Sequence, residues 1–135
     1  MIKNIQDPEI LEINSIMLAH GYEVDVSVYD EKNFGNFYII YRCNGVFLRI
    51  IRDRGDHYIE ASTNKRNWQS AFDFLENNEK NLQKEFALST STATFLDTNI
   101  DKLVSKAATG LTCRKATPNT NETSIINLYN NRRKK

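Results

Sequence analysis

The chain is poor in several residue types on which common functions depend. Its 135 residues include only two cysteines, two prolines, two histidines and five glycines. Cys43 and Cys113 lie far apart, and neither has a cysteine or histidine neighbour at a metal-binding spacing, so the sequence predicts two free thiols and no metal site. Apolar runs are too short for a membrane span, and no secretory signal is recognisable. We therefore expect a cytosolic protein without a cofactor.

Groups suited to catalysis are equally scarce. With only His20 and His57 available, a histidine-based site requires both to converge, and a structural role is expected for each. None of the glycines belongs to a phosphate-binding loop. The charged turn Arg52–Asp56 has the Asp and Gly composition of a tight hairpin tip and is interpreted as one. The sequence thus predicts that the protein is not an enzyme, with a small hydrolase or nuclease kept as a remainder.

Charge is distributed unevenly along the chain. Residues 1–60 carry ten acids and six bases (net −4), whereas residues 61–135 carry seven acids and twelve bases (net +5). Four of these bases form the terminal tip Arg132–Lys135, and without that tip fourteen bases face seventeen acids (net −3). A mildly acidic body argues against a nucleic-acid surface and suits a basic protein partner.

Two turn signals, Asn44-Gly45 and Arg54-Gly55, predict a three-strand meander between Phe34 and Thr63. When the strands are paired outward from these turns, both turns place the same side chains on a common face. That face is apolar and is expected to point toward a core: Phe37, Ile39, Tyr41, Leu48, Ile50, Ile59 and Ala61.

The opposite face of the meander mixes charged, aromatic and aliphatic side chains. Arg49 is predicted to lie opposite Glu60, and Ile51 opposite Tyr58. Such a face is typical of a sheet that meets a partner or is half covered by a helix, and the sequence leaves both interpretations open. Its members are Tyr38, Ile40, Arg42, Phe47, Arg49, Ile51, Tyr58 and Glu60.

The segments on either side complete the expected fold. Asp7-Pro8-Glu9 predicts a helix start and Gly21 its end, followed by a strand in which Tyr22, Val24, Val26 and Val28 alternate with polar positions. After the meander, Asn64 is expected to cap a helix with the inward stripe Trp68, Ala71, Phe72 and Leu75. Further helices are expected around Leu82 to Phe86 and from Leu96 to a stop at Gly110, after a connector at Ser89–Thr94.

The predicted fold class is α+β: an N-terminal helix, a four-stranded antiparallel meander, and two or three C-terminal helices packed on the sheet. Residues 1–110 are expected to form a single domain. Residues 111–135 are polar, end in the basic tip, and are predicted to be a flexible segment.

The meander also resembles a known class of proteins. A polar loop ending in Phe34-Gly35-Asn36, an aromatic and β-branched strand, a strand containing Arg49, and Arg52–Gly55 followed by Tyr58-Ile59-Glu60 resemble small bacterial immunity proteins. Trp68 soon after the meander fits the same layout. These proteins are encoded with polymorphic or contact-dependent growth-inhibition toxins, and the resemblance covers roughly Glu12 to Leu75.

The resemblance implies a cytosolic inhibitor that binds the C-terminal domain of one cognate toxin, commonly a nuclease, and blocks its active site or substrate access. Tyr38, Phe47, Tyr58 and Arg49 are the expected amphipathic anchors. Acidic residues are expected to steer the association with a basic toxin surface: Asp25, Asp30, Glu31, Asp53, Asp56 and Glu60.

A second function fits the same face. Tyr38, Phe47 and Tyr58 beside Arg42 and Arg49 have the composition of a stacking platform for single-stranded RNA or DNA. The acidic body weakens this alternative, because phosphate contacts need a net positive surface.

Overall fold

The computed structural model describes residues 7–30, 32 and 35–113 and shows an α+β fold. A helix precedes an antiparallel sheet with strand order β1-β2-β3-β4-β5, and two further helices follow. The elements are α1 (Pro8–Ala19), β1 (Glu23–Asp30), β2 (Asn36–Cys43), β3 (Val46–Asp53), β4 (Asp56–Ser62), β5 (Gln69–Ser70), 3₁₀ turns at Ala71–Phe74 and Asn77–Glu79, α2 (Asn81–Leu88) and α3 (Thr92–Cys113).

The predicted register of the meander is confirmed. Cys43 pairs with Val46 across the first turn, and Asp53 pairs with Asp56 across the second. Asn44 and Arg54 adopt positive φ angles of 50° and 55°, each followed by a glycine at positive φ, as a tight two-residue hairpin requires. The two turns therefore set the facing of every side chain in β2, β3 and β4.

The start of α1 is also as predicted. Oδ1 of Asp7 accepts hydrogen bonds from the backbone N–H groups of Glu9 (2.9 Å) and Ile10 (3.2 Å), and Pro8 occupies the first helical turn. Arg52 ties this helix end to the sheet, because its guanidinium donates to Asp7 Oδ2 at 2.6 Å and to Glu9 Oε1 at 2.8 Å. The α1 N-terminus is thus fixed over β3.

The main hydrophobic core lies between one face of the sheet and the layer formed by α1 and α3. In this layer α1 contacts β1 and α3, while α3 contacts β3 and β4. The sheet contributes the predicted apolar face, and the helices contribute Ile10, Ile13, Met17, Leu96, Ile100, Leu103 and Ala107.

The segment after β4 differs from the prediction. Asn64 does not cap a helix: its side-chain oxygen accepts from the backbone of Arg66 and Asn67, which closes a turn leading to the short strand β5. The sheet consequently has five strands, not four. Ala71, Phe72 and Leu75 do reach the core, but through a 3₁₀ turn, whereas Trp68 lies on the opposite side of the sheet.

The predicted ends of α3 are wrong at both sides. The helix begins within the hydroxyl-rich connector, where Ser91 Oγ accepts from the N–H of Thr94, and it continues past Gly110 to Cys113. Gly110 serves a different purpose, because a Cβ there would collide with the ring of Phe74. The expected domain boundary after residue 110 falls inside this helix, and the rest of the predicted flexible segment lies outside the described residues.

Candidate partner-binding surface

The sheet has a second face, which points away from α1 and α3 and which we call the outer face. It carries a separate apolar cluster of Ile40, Ile51 and Trp68. Tyr38, Phe47 and Tyr58 pack against this cluster and remain half-buried. The face therefore consists of a sealed centre surrounded by aromatic side chains that still reach solvent.

A β-bulge in β1 adds two valines to the outer face. The register shifts between Val24, which pairs with Tyr41, and Val26, which pairs with Ile40. Val24 thus stays on the core side, whereas Val26 and Val28 turn outward and are 37% and 39% exposed. The predicted strand is confirmed, but its alternating valines do not share one face, because the bulge inserts one extra residue and exchanges the two faces beyond it.

The centre of the outer face is a buried ion pair covered by an aromatic ring. Arg49 Nη2 donates to Glu60 Oε1 at 3.1 Å, and the two residues are only 4% and 1% exposed. The Arg49 guanidinium lies 3.8 Å from the Trp68 ring centroid and 5.7 Å from that of Tyr38. Burial lowers the pKa of Arg49, while the neighbouring Glu60 carboxylate opposes that shift.

This burial corrects part of the predicted site. Arg49 and Glu60 were expected to contact a partner, but Trp68 and the sheet cover them, so they can only hold the face in shape. Asp53, expected in an acidic rim, is also buried at 8% exposure. A charge removed from water must be paired within the fold, because a buried charge without its partner is strongly destabilising.

The other predicted site residues keep access to solvent or lie outside the described residues. Tyr38, Phe47 and Tyr58 are half-buried on the outer face, as expected of anchors. Asp56 is exposed at the start of β4, and Asp30 is half-buried at the end of β1, which lies at the same end of the sheet. Glu31 is not among the described residues.

Charged side chains at the opposite end of the outer face neutralise one another. Arg42 donates to Asp25 at 2.7 Å and to Glu23 at 3.2 Å, and Lys65 donates to Asp25 at 2.7 Å. The pKa of Asp25 is lowered chiefly by its hydrogen bond from Lys65. Lys65 also lies 5.0 Å from the ring centroid of Phe47. With Arg49 buried and Arg42 held by two carboxylates, neither arginine of the expected nucleic-acid platform is placed to grip phosphate.

The two histidines lie apart, on the helix side of the molecule. His20, after α1, has its ring nitrogens 3.0 Å from Asp97 and from Asp101 of α3, and His57 Nε2 lies 2.9 Å from Glu9. The pKa of His20 is raised by the hydrogen bonds that its protonated ring donates to Asp97, the larger effect, and to Asp101. Within residues 7–30, 32 and 35–113, no group of three or more His, Cys, Asp or Glu side chains is arranged to hold a metal ion.

Sequence reasoning missed three members of the outer face: Trp68, Val26 and Val28. A signal for Trp68 was present, because the polar run Thr63–Asn67 resembles a hairpin turn more than a helix start. The bulge at Asp25 has no comparable signal, since Val24, Val26 and Val28 continue the alternation through it.

Comparisons with known protein families, with curated proteins and with solved structures gave no match. In the part of the chain that the structure describes, no helix combines the length and apolar character needed to cross a bilayer.

Proposed function

We propose that the protein is an immunity protein that binds the C-terminal domain of a cognate bacterial toxin in the cytosol and blocks its active site or its access to substrate. The observation that carries the proposal is the outer face. The helices pack on the core face, while the outer face keeps Tyr38, Phe47 and Tyr58 half-exposed around a sealed centre. Aromatic side chains fixed by packing on one side and open to solvent on the other are typical binding hot spots.

The buried centre supports this role by making the aromatic residues rigid. Arg49 and Glu60 hold each other at 3.1 Å, and Trp68 stacks on the guanidinium. Side chains that are already ordered lose less conformational entropy when a partner binds. Arg49, Glu60 and Trp68 are therefore positioning residues, and Tyr38, Phe47 and Tyr58 are the contact residues.

Net charge supports a basic partner, such as a nuclease domain. The described ranges 7–30, 32 and 35–113 carry fifteen acids and eleven bases, a net charge of −4. Asp30 and Asp56 lie at one end of the sheet, next to the outer face. Long-range attraction between an acidic inhibitor and a basic nuclease accelerates association, and this effect falls with ionic strength.

Co-expression with the toxin gene expected beside it in the genome tests the proposal. Wild-type protein should restore growth and should bind the purified toxin domain. Phe47→Ala or Tyr58→Ala should each weaken binding about 30-fold, as loss of a hot spot worth ~2 kcal/mol implies.

Leu88→Ala is the matched control, because Leu88 is 76% exposed at the end of α2 and does not belong to the outer face. It should bind and protect like wild type. Failure of the wild-type chain to bind or to protect would contradict the proposal itself. Equal binding by the Phe47, Tyr58 and Leu88 variants would place the interface away from these aromatic residues.

A further inference from the structure

A cleft with a volume of about 440 Å³ lies at one end of the sheet. The start of β4, the first turn of α1, the end of α2 and the start of α3 contribute to its walls. Tyr58, one of the contact residues proposed above, also lines the cleft, so the cleft borders the outer face. A concave space of this size is large enough to take up a small ligand or a long side chain of a partner.

One wall of the cleft carries charges that the fold already satisfies. Glu9 accepts a hydrogen bond from Arg52 Nη1 at 2.8 Å and lies 2.9 Å from His57 Nε2. Arg52 is held in addition by Asp7 Oδ2, at 2.6 Å. The Glu9 carboxylate is therefore neutralised by its neighbours, and it adds no free charge to the cleft.

The free charge of the cleft belongs to Asp56. This residue is exposed, and its carboxylate makes no hydrogen bond or ion pair within the part of the chain that the structure describes. None of the described residues that line the cleft is a lysine or an arginine. A carboxylate without a fixed cation nearby favours a ligand that is itself positively charged.

Thr92 gives a second, independent indication of a ligand. It lines the cleft and is only 6% exposed, yet its hydroxyl has no hydrogen-bond partner among the described residues. In those residues, Arg49 Nε is the side-chain nitrogen or oxygen that is both sealed from solvent and unbonded. The Thr92 hydroxyl is therefore not sealed, and the cleft is the space that it can reach. Because buried polar groups are normally bonded, an N–H donor in the cleft would satisfy it.

The uncommitted groups together select a guanidinium. Asp56 and the hydroxyls of Thr92 and Thr90 all accept hydrogen bonds, and a planar guanidinium offers five N–H donors that match a carboxylate through two parallel bonds. A lysine ammonium is more strongly hydrated and so loses more on entering a cleft. An anion is a poorer occupant, because it would meet Asp56 and because the N–H of Thr94 in the first turn of α3 is already bonded to Ser91 Oγ.

We propose that the cleft binds an arginine side chain of the partner, with the guanidinium held by Asp56 and Thr92. This inference deepens the function proposed above and rests on it for the identity of the partner. The net charge of −4 over the described residues suits a basic partner. The shared residue Tyr58 allows one partner to contact the outer face and to place an arginine in the cleft at the same time.

The tripeptide acetyl-Gly-Arg-Gly-amide probes the cleft without the toxin. Titrated to millimolar concentration into the full-length chain labelled with ¹⁵N, it should give saturable shifts of the amide resonances of residues 55–58 and 86–92. The same peptide with citrulline in place of arginine has nearly the same shape but no charge, and it should bind at least about tenfold more weakly. Inorganic phosphate, the probe for an anion site, should leave these resonances unshifted.

Variants of the protein assign the contact groups. Asp56→Asn replaces the carboxylate by a neutral amide and should weaken binding of the arginine peptide and of the toxin domain about tenfold. Thr92→Val keeps the shape of the side chain but removes its hydroxyl, and should weaken both about threefold. Glu12→Gln removes the same charge from an exposed position of α1 outside this cleft and should change neither. An unchanged ¹⁵N spectrum away from the substitution shows that each variant is folded.

Three results with the small probes would overturn the proposal: no shift of the cleft amides with the arginine peptide, equal binding of the citrulline peptide, or binding of phosphate at the same amides. Toxin binding that is unchanged in Asp56→Asn and Thr92→Val but weakened by Phe47→Ala would remove the cleft from the interface while the immunity function stands. If the arginine peptide binds and wild-type protein does not bind the toxin, the immunity function fails and the arginine site stands.

Discussion

The two faces of the sheet use the same strands for different purposes. The core face pairs apolar residues with apolar residues, such as Tyr41 with Leu48 and Ile50 with Ile59, under a layer of two helices. The outer face has the ion pair Arg49–Glu60 at its centre, and aromatic rings supply its cover. Burial therefore has different causes on the two faces. The core face is buried by apolar packing throughout, whereas the outer face is sealed only at its centre and leaves the aromatic side chains around it partly accessible to solvent.

We expect the strongest effect on stability when the buried ion pair between Arg49 and Glu60 is broken. Glu60→Ala leaves the Arg49 charge buried without its carboxylate, which should cost about 3–5 kcal/mol of unfolding free energy in urea titrations. The double variant Arg49→Met with Glu60→Leu removes both charges and should be close to wild type. A cost below about 1 kcal/mol for Glu60→Ala would mean that water reaches Arg49 and that the centre is not sealed.

Two neighbouring residues of β3, Phe47 and Leu48, point to opposite faces of the sheet. Leu48→Ala, on the core face, should cost about 2–5 kcal/mol, because Leu48 is fully buried and the cavity cannot refill. Phe47→Ala, one residue earlier and half-buried on the outer face, should cost about 1–2 kcal/mol and should act mainly on partner binding. Urea titrations and toxin-binding measurements on both variants test whether Leu48 acts mainly on stability and Phe47 mainly on binding. Equal stability costs, or loss of binding with Leu48→Ala alone, would contradict it.

The smallest effect concerns the helix layer on the core side. The pKa of His20 is raised above its usual 6.5 by Asp97 and Asp101, so the folded state holds the proton more tightly than the unfolded chain does. This stabilisation is complete below pH 6.5 and is lost as the pH rises through the folded pKa. His20→Gln should lower the free energy of unfolding by about 0.5 kcal/mol near pH 5.5, a small effect because solvent screens a surface pair. The loss should be smaller near pH 8.5, because the ring gives up its proton as the pH rises.

Thermal unfolding at the two pH values measures this difference. Asp97→Asn and Asp101→Asn should each reduce the pH dependence, since each removes one of the carboxylates that bond the ring. Binding to the outer face should not change. A stability cost of His20→Gln that grows with pH would contradict the assignment.

The parts of the fold that could be predicted from sequence are those set by local turn chemistry. Asn44-Gly45 and Arg54-Gly55 each require positive φ, and this requirement fixed the strand register and the composition of both faces. The cap at Asp7 was predictable for a similar reason, because its hydrogen bonds span only two and three residues.

The features that escaped prediction depend on contacts distant in sequence. Trp68, Ala71, Phe72 and Leu75 have helical spacing, but the pairing of Gln69 and Ser70 with β4 draws Trp68 to the outer face. Gly110 was interpreted as a helix stop, although it is needed for the close approach of Phe74. The burial of Arg49 and Glu60 depends on where Trp68 lies, so their pairing could be predicted while their inaccessibility could not.

The bulge at Asp25 has a consequence for how this strand tolerates changes in length. The extra residue separates two stretches of regular pairing. A related chain that lacks one residue at this point would therefore keep all the remaining side chains of β1 on their present sides of the sheet. A one-residue alignment gap at this position would therefore preserve the facing of the other side chains of β1 and remove only the ion pairs of Asp25 with Arg42 and Lys65. The same gap in β2 or β3 would move all the following side chains of that strand to the opposite face of the sheet.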